Sequence, residues 1–148
     1  TINFTKNYLE RPMDNVTFHR RLGAILYDGL LVLSLMFFGT YIFVAALGKE
    51  IEAGSFWYQL ALLLFAHFFF VGFWFIYGRT LGMQSWDLRL ETANRKKPTL
   101  WQCNLRFFAA ILSWIPLGLG FFWQLFDNNN LTWHDRISGT QLKFYTNL

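Results

Sequence analysis

Two stretches of this chain, Leu22 to Leu47 and Phe56 to Tyr77, constrain its fold most. The first carries a single charge, Asp28, and the second carries none. Crossing a bilayer takes ~20 consecutive apolar residues in helical form, because every backbone N–H and C=O must be bonded within the segment. Both stretches are long enough, so two full transmembrane helices are predicted. Basic residues precede the first, and Val44-Ala45-Ala46 resembles a processing site, but the apolar region of a signal peptide runs only about 7–15 residues. The first stretch therefore reads as a retained anchor. A third stretch, about 105–126, is uncharged from Phe107 to Phe126 but holds Trp114-Ile115-Pro116-Leu117-Gly118-Leu119-Gly120 at its centre. Proline removes a backbone donor and clashes with the preceding turn, and the two glycines weaken the helix further. This segment is predicted to be a re-entrant hairpin or a kinked span. The expected class is an all-α membrane protein forming one domain over residues 1–148, with spans near 22–47, 56–77 and 105–126 and a loop over 78–104.

Lysine and arginine are enriched in cytoplasmic flanks and give the expected orientation. Lys6, Arg11, Arg20 and Arg21 precede the first span, whereas the short loop after it holds Lys49 against Glu50 and Glu52. The long loop holds Arg79, Arg89, Arg95, Lys96, Lys97 and Arg106 against Asp87 and Glu91. The N-terminus and the long loop are thus expected on the cytoplasmic side. The net charge of +4 and pI near 9.4 then reflect a surface for anionic headgroups rather than for nucleic acid. Within the loop, the segment from Gln84 to Thr92 alternates Trp86, Leu88 and Leu90 with charged residues, the period of a half-buried strand, and Ala93 to Pro98 reads as the turn that ends it. Thr140 to Tyr145 alternates in the same way. The two strands can form a small cytoplasmic β element only if both lie on one side of the membrane. That requires the third stretch to enter and leave on the same face, an arrangement favoured over its rival of three full crossings.

Asp28 demands a reason. A charged side chain at the bilayer centre costs about 2.5–3.5 kcal/mol on insertion scales, and one that persists there usually faces a bundle interior, a partner or an ion path. Arg21 lies seven residues earlier, a rotation of about 700°, so both side chains share one helix face about 10.5 Å apart along the axis.

Three segments together resemble a known family: Arg21-Leu22-Gly23-Ala24-Ile25-Leu26-Tyr27-Asp28, Gly78-Arg79-Thr80-Leu81-Gly82-Met83-Gln84-Ser85-Trp86 and His134-Asp135-Arg136-Ile137-Ser138-Gly139-Thr140. In this order and spacing they are similar to the RDD family of small bacterial membrane proteins, which is named for one arginine and two aspartates. The resemblance covers nearly the whole chain. It matches Arg21 and Asp28 to the arginine and aspartate of the first helix, and Asp135 to the second aspartate ahead of a Gly-Thr step. Trp86-Asp87 stands where the family often has a glycine. The resemblance implies transport as the usual proposal, with sodium–proton exchange attributed to some members.

Each of these residues has two readings. Arg21 and Asp28 can form a structural clamp, with Asp28 neutralised by Arg106 or Arg136, or Asp28 can be an ion or proton site tuned by Arg21. Asp135 with Arg136 reads as a fixed ion pair, and its neighbour His134 is poor ground for a metal site. His67, inside the second span, reads as a neutral histidine with one hydrogen bond rather than a proton relay. Trp57, Tyr58 and Tyr77 fit interfacial belts. No phosphate loop, cysteine pair or nucleophile–base motif is present, Cys103 being the only cysteine, so neither an enzyme nor a cofactor is expected. Three roles follow: ion-coupled transport as a homo-oligomer, an accessory subunit of a larger membrane complex, or a lipid-binding module using Arg95, Lys96 and Lys97. Transport ranks slightly ahead of the accessory role.

Overall fold

A computed structural model describes residues 12–13, 16–52 and 54–145. Lys6 and Arg11, used above for orientation, lie outside these residues. Helix α1 (Phe18–Leu47) and helix α2 (Phe56–Tyr77) are both long and apolar enough to cross a membrane, with mean hydropathies of 2.4 and 2.1. Each ends at a glycine in the left-handed region, Gly48 at φ 60° and Gly78 at φ 69°, whose N–H bonds back to the carbonyl four residues earlier. This is the usual chain stop, since only glycine adopts that region without steric cost. α1 begins four residues ahead of the predicted apolar stretch because Phe18-His19-Arg20-Arg21 continues the helix beyond the uncharged region.

The two spanning helices are open to their surroundings. Only 6% and 11% of their most apolar windows are buried. On α1 the buried residues are Arg21, Ala24, Asp28 and Val32, a single stripe at helical spacing. This stripe meets the short helix α3 (Leu81–Ser85), while α2 packs on helix α4 (Leu100–Trp114). One bond joins the spans directly, Thr40 Oγ1 to Tyr58 Oη at 2.6 Å.

The third apolar stretch is broken as predicted. α4 starts earlier than expected because Thr99 and Gln102 close a capping box, a feature that stabilises a helix start by about 1 kcal/mol. Its 15 residues reach about 22 Å, short of a hydrocarbon core of about 30 Å. Leu117 and Gly118 then adopt φ of 55° and 79°, and the chain bends by 107° into helix α5 (Leu119–Phe122) and a 3-10 turn (Trp123–Leu125). A Cβ at Gly120 would lie 2.5 Å from Ser113, so glycine lets the bend close. Gln124 donates to the Val16 carbonyl at 3.0 Å, which returns the chain to the start of α1. The end of the bent segment thus lies beside the start of α1.

That return permits the sheet. Strands β1 (Pro12–Met13), β2 (Leu88–Thr92) and β3 (Thr140–Tyr145) pair antiparallel in the order β1-β3-β2, with Leu88 opposite Phe144 and Leu90 opposite Leu142. Leu88, Leu90 and Leu142 point into a core shared with Ala24, Val71, Trp74, Met83, Cys103 and Phe107. The predicted strand over 84–92 is shorter in the structure. Thr80 accepts a hydrogen bond from the Met83 N–H, which winds Leu81–Ser85 into α3 before the strand begins. Helix α6 (Trp133–Ser138) precedes β3 and lies against α4.

Candidate functional site: two buried carboxylates

Thr132 fixes Asp135. In the capping box of α6, the Thr132 hydroxyl accepts from the Asp135 N–H at 3.3 Å, and the Asp135 carboxylate accepts from the Thr132 N–H at 3.1 Å. The same carboxylate takes Arg21 Nη1 of α1 at 2.7 Å on Oδ2 and Arg106 Nη1 of α4 at 2.5 Å on Oδ1. Arg106 also donates to Thr140 Oγ1 at 3.1 Å and lies over the Trp74 ring at 5.4 Å. Arg21, Arg106 and Asp135 are 3%, 2% and 1% exposed, so one carboxylate ties α1, α4 and α6 together away from water. Charged hydrogen bonds of this kind are about twice as strong as neutral ones, and removing one member leaves a buried charge alone.

The trio carries a net positive charge, and the neighbouring groups respond. Burial alone would push the Asp135 carboxyl up, but the guanidiniums of Arg21 and Arg106 overcome it and hold the group far below the usual carboxylate range. The pKa of His134 is lowered as well, which for a base favours the neutral form. Its burial and the charge of Arg106 hold it neutral, well below 6.5, against the opposing pull of Asp135. Its Nε2 is 4.0 Å from Asp135 Oδ1, and its ring packs 4.8 Å from Phe121.

Asp28 is not in this trio. The clamp reading expected an arginine against it, yet among the described residues it forms no salt bridge. It accepts instead from the hydroxyl of Thr80, the N-cap of α3, and from the N–H of Gly82 in the first turn of α3 at 2.8 Å. Glycine at 82 is required by this approach, since a Cβ there would sit 2.3 Å from the Ala24 carbonyl and 2.8 Å from the Asp28 carboxyl carbon. Arg21 and Asp28 do share the inward face of α1 as their spacing predicts. They simply serve different partners, because Asp135 reaches Arg21 first from across the fold.

The other predicted residues scatter. Arg136, expected at the charged set, points away from it and pairs with Asp127 in a half-exposed contact. Its place one residue after Asp135 on a helix turns it to a different face. Arg95, Lys96 and Lys97 are exposed at the turn after β2, with Arg95 at φ 56°, and Lys97 Nζ donates to the Ile76 carbonyl at 2.9 Å while lying near the Phe75 ring. His67 Nδ1 is buried without a hydrogen-bond partner among the described residues. It packs edge-on to Phe107 at 4.8 Å and beside Phe68 and Phe108. Among the described residues no group of three or more His, Cys, Asp or Glu is placed to hold a metal ion.

Both carboxylate centres border a cavity of about 310 Å³ between α1, α2, α4, α5 and α6. Arg21, Asp28, Arg106 and His134 line it together with apolar walls that include Ile25, Phe70, Ile111 and Phe121. Several residues of the site were not singled out from sequence: Thr80, Gly82, Thr132, Thr140 and Trp74. Thr132-x-x-Asp135 carried a legible signal, a hydroxyl three residues ahead of a carboxylate at a helix start. Thr80 is likewise three residues ahead of Met83.

No curated protein and no solved structure matches the chain. The family model described as the RDD family matches residues 16–139, a span that contains Arg21, Asp28, Arg106, Asp135 and every cavity wall except Leu142 of β3. Two apolar helices, a bent third segment and this match together identify the chain as a membrane protein that belongs to the RDD family.

Proposed function

We propose that this protein supports ion-coupled transport of protons or small cations as a homo-oligomer in the bacterial inner membrane, with Asp28 as the exchanging group. The observation that carries this reading is the division of labour between the two carboxylates. Asp135 takes both buried arginines and performs the clamp, whereas Asp28, borne on a spanning helix and bordering the cavity, is held among the described residues only by a hydroxyl and a backbone N–H. A buried carboxylate with neutral donors alone can accept a proton or a cation without displacing an ion pair. Arg21 then acts at a distance, through the field of the trio. The role needs no catalytic side chain and no cofactor. Oligomerisation supplies the enclosure that two spans with open faces lack, and the basic long loop and N-terminal flank support an orientation with that end of the molecule in the cytoplasm.

The test is flux. Purified oligomer in liposomes with an internal pH-sensitive dye should show cation-dependent proton movement, abolished by Asp28→Asn, whose amide oxygen can still accept from Gly82. A folded oligomer that moves no protons overturns the reading.

A second role, an accessory subunit of a larger complex, is favoured by a different observation: Phe37, Tyr41, Phe56, Trp57 and Phe68 stand 71–76% exposed along the spans, except Phe56 at 68%. Recovery of a stoichiometric partner in mild detergent supports that role, and recovery of the chain alone counts against it.

A further inference from the structure

Hydrogen bonding around the cavity is one-sided. Four of its lining side chains, Arg21, Arg106, Trp74 and His134, each keep a buried nitrogen without a partner: the two Nε atoms, Trp74 Nε1 and His134 Nδ1. The arginine Nε and indole Nε1 atoms are donors only, so the complement they lack is an acceptor. Unsatisfied buried polar groups are rare in folded proteins and point to an unfilled role. The charge of the clamp agrees, because Arg21 and Arg106 against Asp135 leave one positive charge over.

Apart from Asp28, the remaining walls are apolar, and they are arranged along a direction. Arg21 and Arg106 lie within the first two turns of α1 and α4, and Gly29 and Trp114 lie eight residues further along, about 12 Å on each helix axis. Between them the lining is Ala24, Ile25, Phe107, Ala110 and Ile111, with Asp28 the one polar side chain. Ile111 and Trp114 are exposed, at 38% and 60%, so this end opens sideways toward the bilayer. The volume sits at the lower end of the range for small-molecule pockets, about 300–1,000 Å³.

We infer that the cavity binds a single-chain amphiphilic anion from the membrane, its carboxylate or phosphate head toward Arg21, Arg106 and Trp74 and its acyl chain toward Gly29 and Trp114. Asp28 lies at the depth of the chain, about 10 Å from Arg21, and its carboxylate is already turned to Thr80 and Gly82. The inference does not depend on ion transport by Asp28, and the test measures binding alone.

The oligomer in zwitterionic nanodiscs is labelled with a photoactivatable dodecanoate bearing its reactive group near the chain end. Labelling should fall on the segments carrying Ile25, Gly29, Ala110 and Ile111, and should be competed by dodecanoate and by dodecyl phosphate but not by dodecanol. Preferential competition by dodecanoate assigns a fatty acid, and by dodecyl phosphate a phosphate-headed lipid. Gly29→Leu fills the apolar end from a position where an added Cβ meets nothing within 4 Å, and it should reduce labelling about tenfold while the clamp stays intact. Labelling confined to outward positions such as Phe37 and Phe38, or equal competition by the neutral alcohol, overturns the inference. Both readings come from the wild-type protein, so the outcome does not hinge on how well Gly29→Leu folds.

Discussion

Asp135 bonds to two arginines, caps its own helix and borders a neutral histidine, so substitutions around it should differ sharply in cost. Asp135→Asn leaves Arg21 and Arg106 buried without a counter-charge, and breaking a buried pair in this way costs about 3–5 kcal/mol. Arg136→Ala, one residue away, removes a half-exposed, solvent-screened pair and should cost far less. Thermal unfolding of the two variants in detergent should separate them clearly, and equal losses would refute the clamp. His134 adds a pH signature. Its folded-state pKa is depressed, so below about 6.5 the unfolded chain binds a proton that the folded chain refuses, and stability must fall as pH falls from that point. Asp135, also depressed, adds a further loss only below about 3.8, where the unfolded carboxyl protonates and the folded one does not. The melting temperature of the wild type should therefore drop on acidification from 6.5, and His134→Gln should flatten that slope. Retention of the slope in the variant would move its origin elsewhere. The inward facing of Arg21 and Asp28 was readable from a seven-residue spacing. Their partners were not, since Asp135 is 114 residues from Arg21 and Thr80 is 52 from Asp28, and no local pattern encodes a pairing at such range.

At the scale of elements, α3 is where local sequence and tertiary contact must agree. Leu81–Ser85 is too short to be stable alone, and it persists because Thr80 caps it and Asp28 holds both Thr80 and Gly82. Its neighbour Trp86 crosses α1 at Gly23, where a Cβ would come within 2.5 Å of the indole. Gly82→Ala places a methyl against a backbone carbonyl that cannot move aside, so it should cost toward the upper end of the roughly 1–3 kcal/mol typical of overpacking. Gly29→Ala, on open space, should be neutral or slightly stabilising by helix propensity. Chemical denaturation of the two variants checks the contrast, and a Gly82→Ala protein as stable as wild type would contradict the close approach. The same element explains why the strand over 84–92 was predicted too long. Alternation of Trp86, Leu88 and Leu90 is a true strand signal, but a capped turn three residues earlier competes for Gln84 and Ser85 and wins, because the cap is anchored by a buried carboxylate. The Pro-Gly break of the third stretch was legible for the opposite reason, since proline and a left-handed glycine act through their own backbones whatever surrounds them.

For the whole molecule, one arrangement follows from several independent contacts. Asp135 bridges the first turns of α1 and α4, Gln124 reaches Val16, and β3 pairs with β2 and β1, so the segments on either side of the third apolar stretch are bonded to one another. A full crossing by that stretch would have to separate β3 from β2 by the thickness of the bilayer. It would also bare the two arginines, at a cost of several kcal/mol for each unpaired buried ion. Sidedness is therefore the property to measure. In a Cys103→Ser background, Arg95→Cys and Lys143→Cys should react with a membrane-impermeant maleimide from the same side of oriented vesicles, and Lys49→Cys from the other, because α1 and α2 each cross once and Lys49 lies in the exposed loop between them. Reaction of Lys143→Cys from the Lys49 side would mean that the third stretch crosses completely, and the buried clamp could not exist in the membrane-inserted protein. Agreement of Arg95 and Lys143 would instead fix both carboxylate centres near one membrane face, with the cavity extending from them toward the apolar interior.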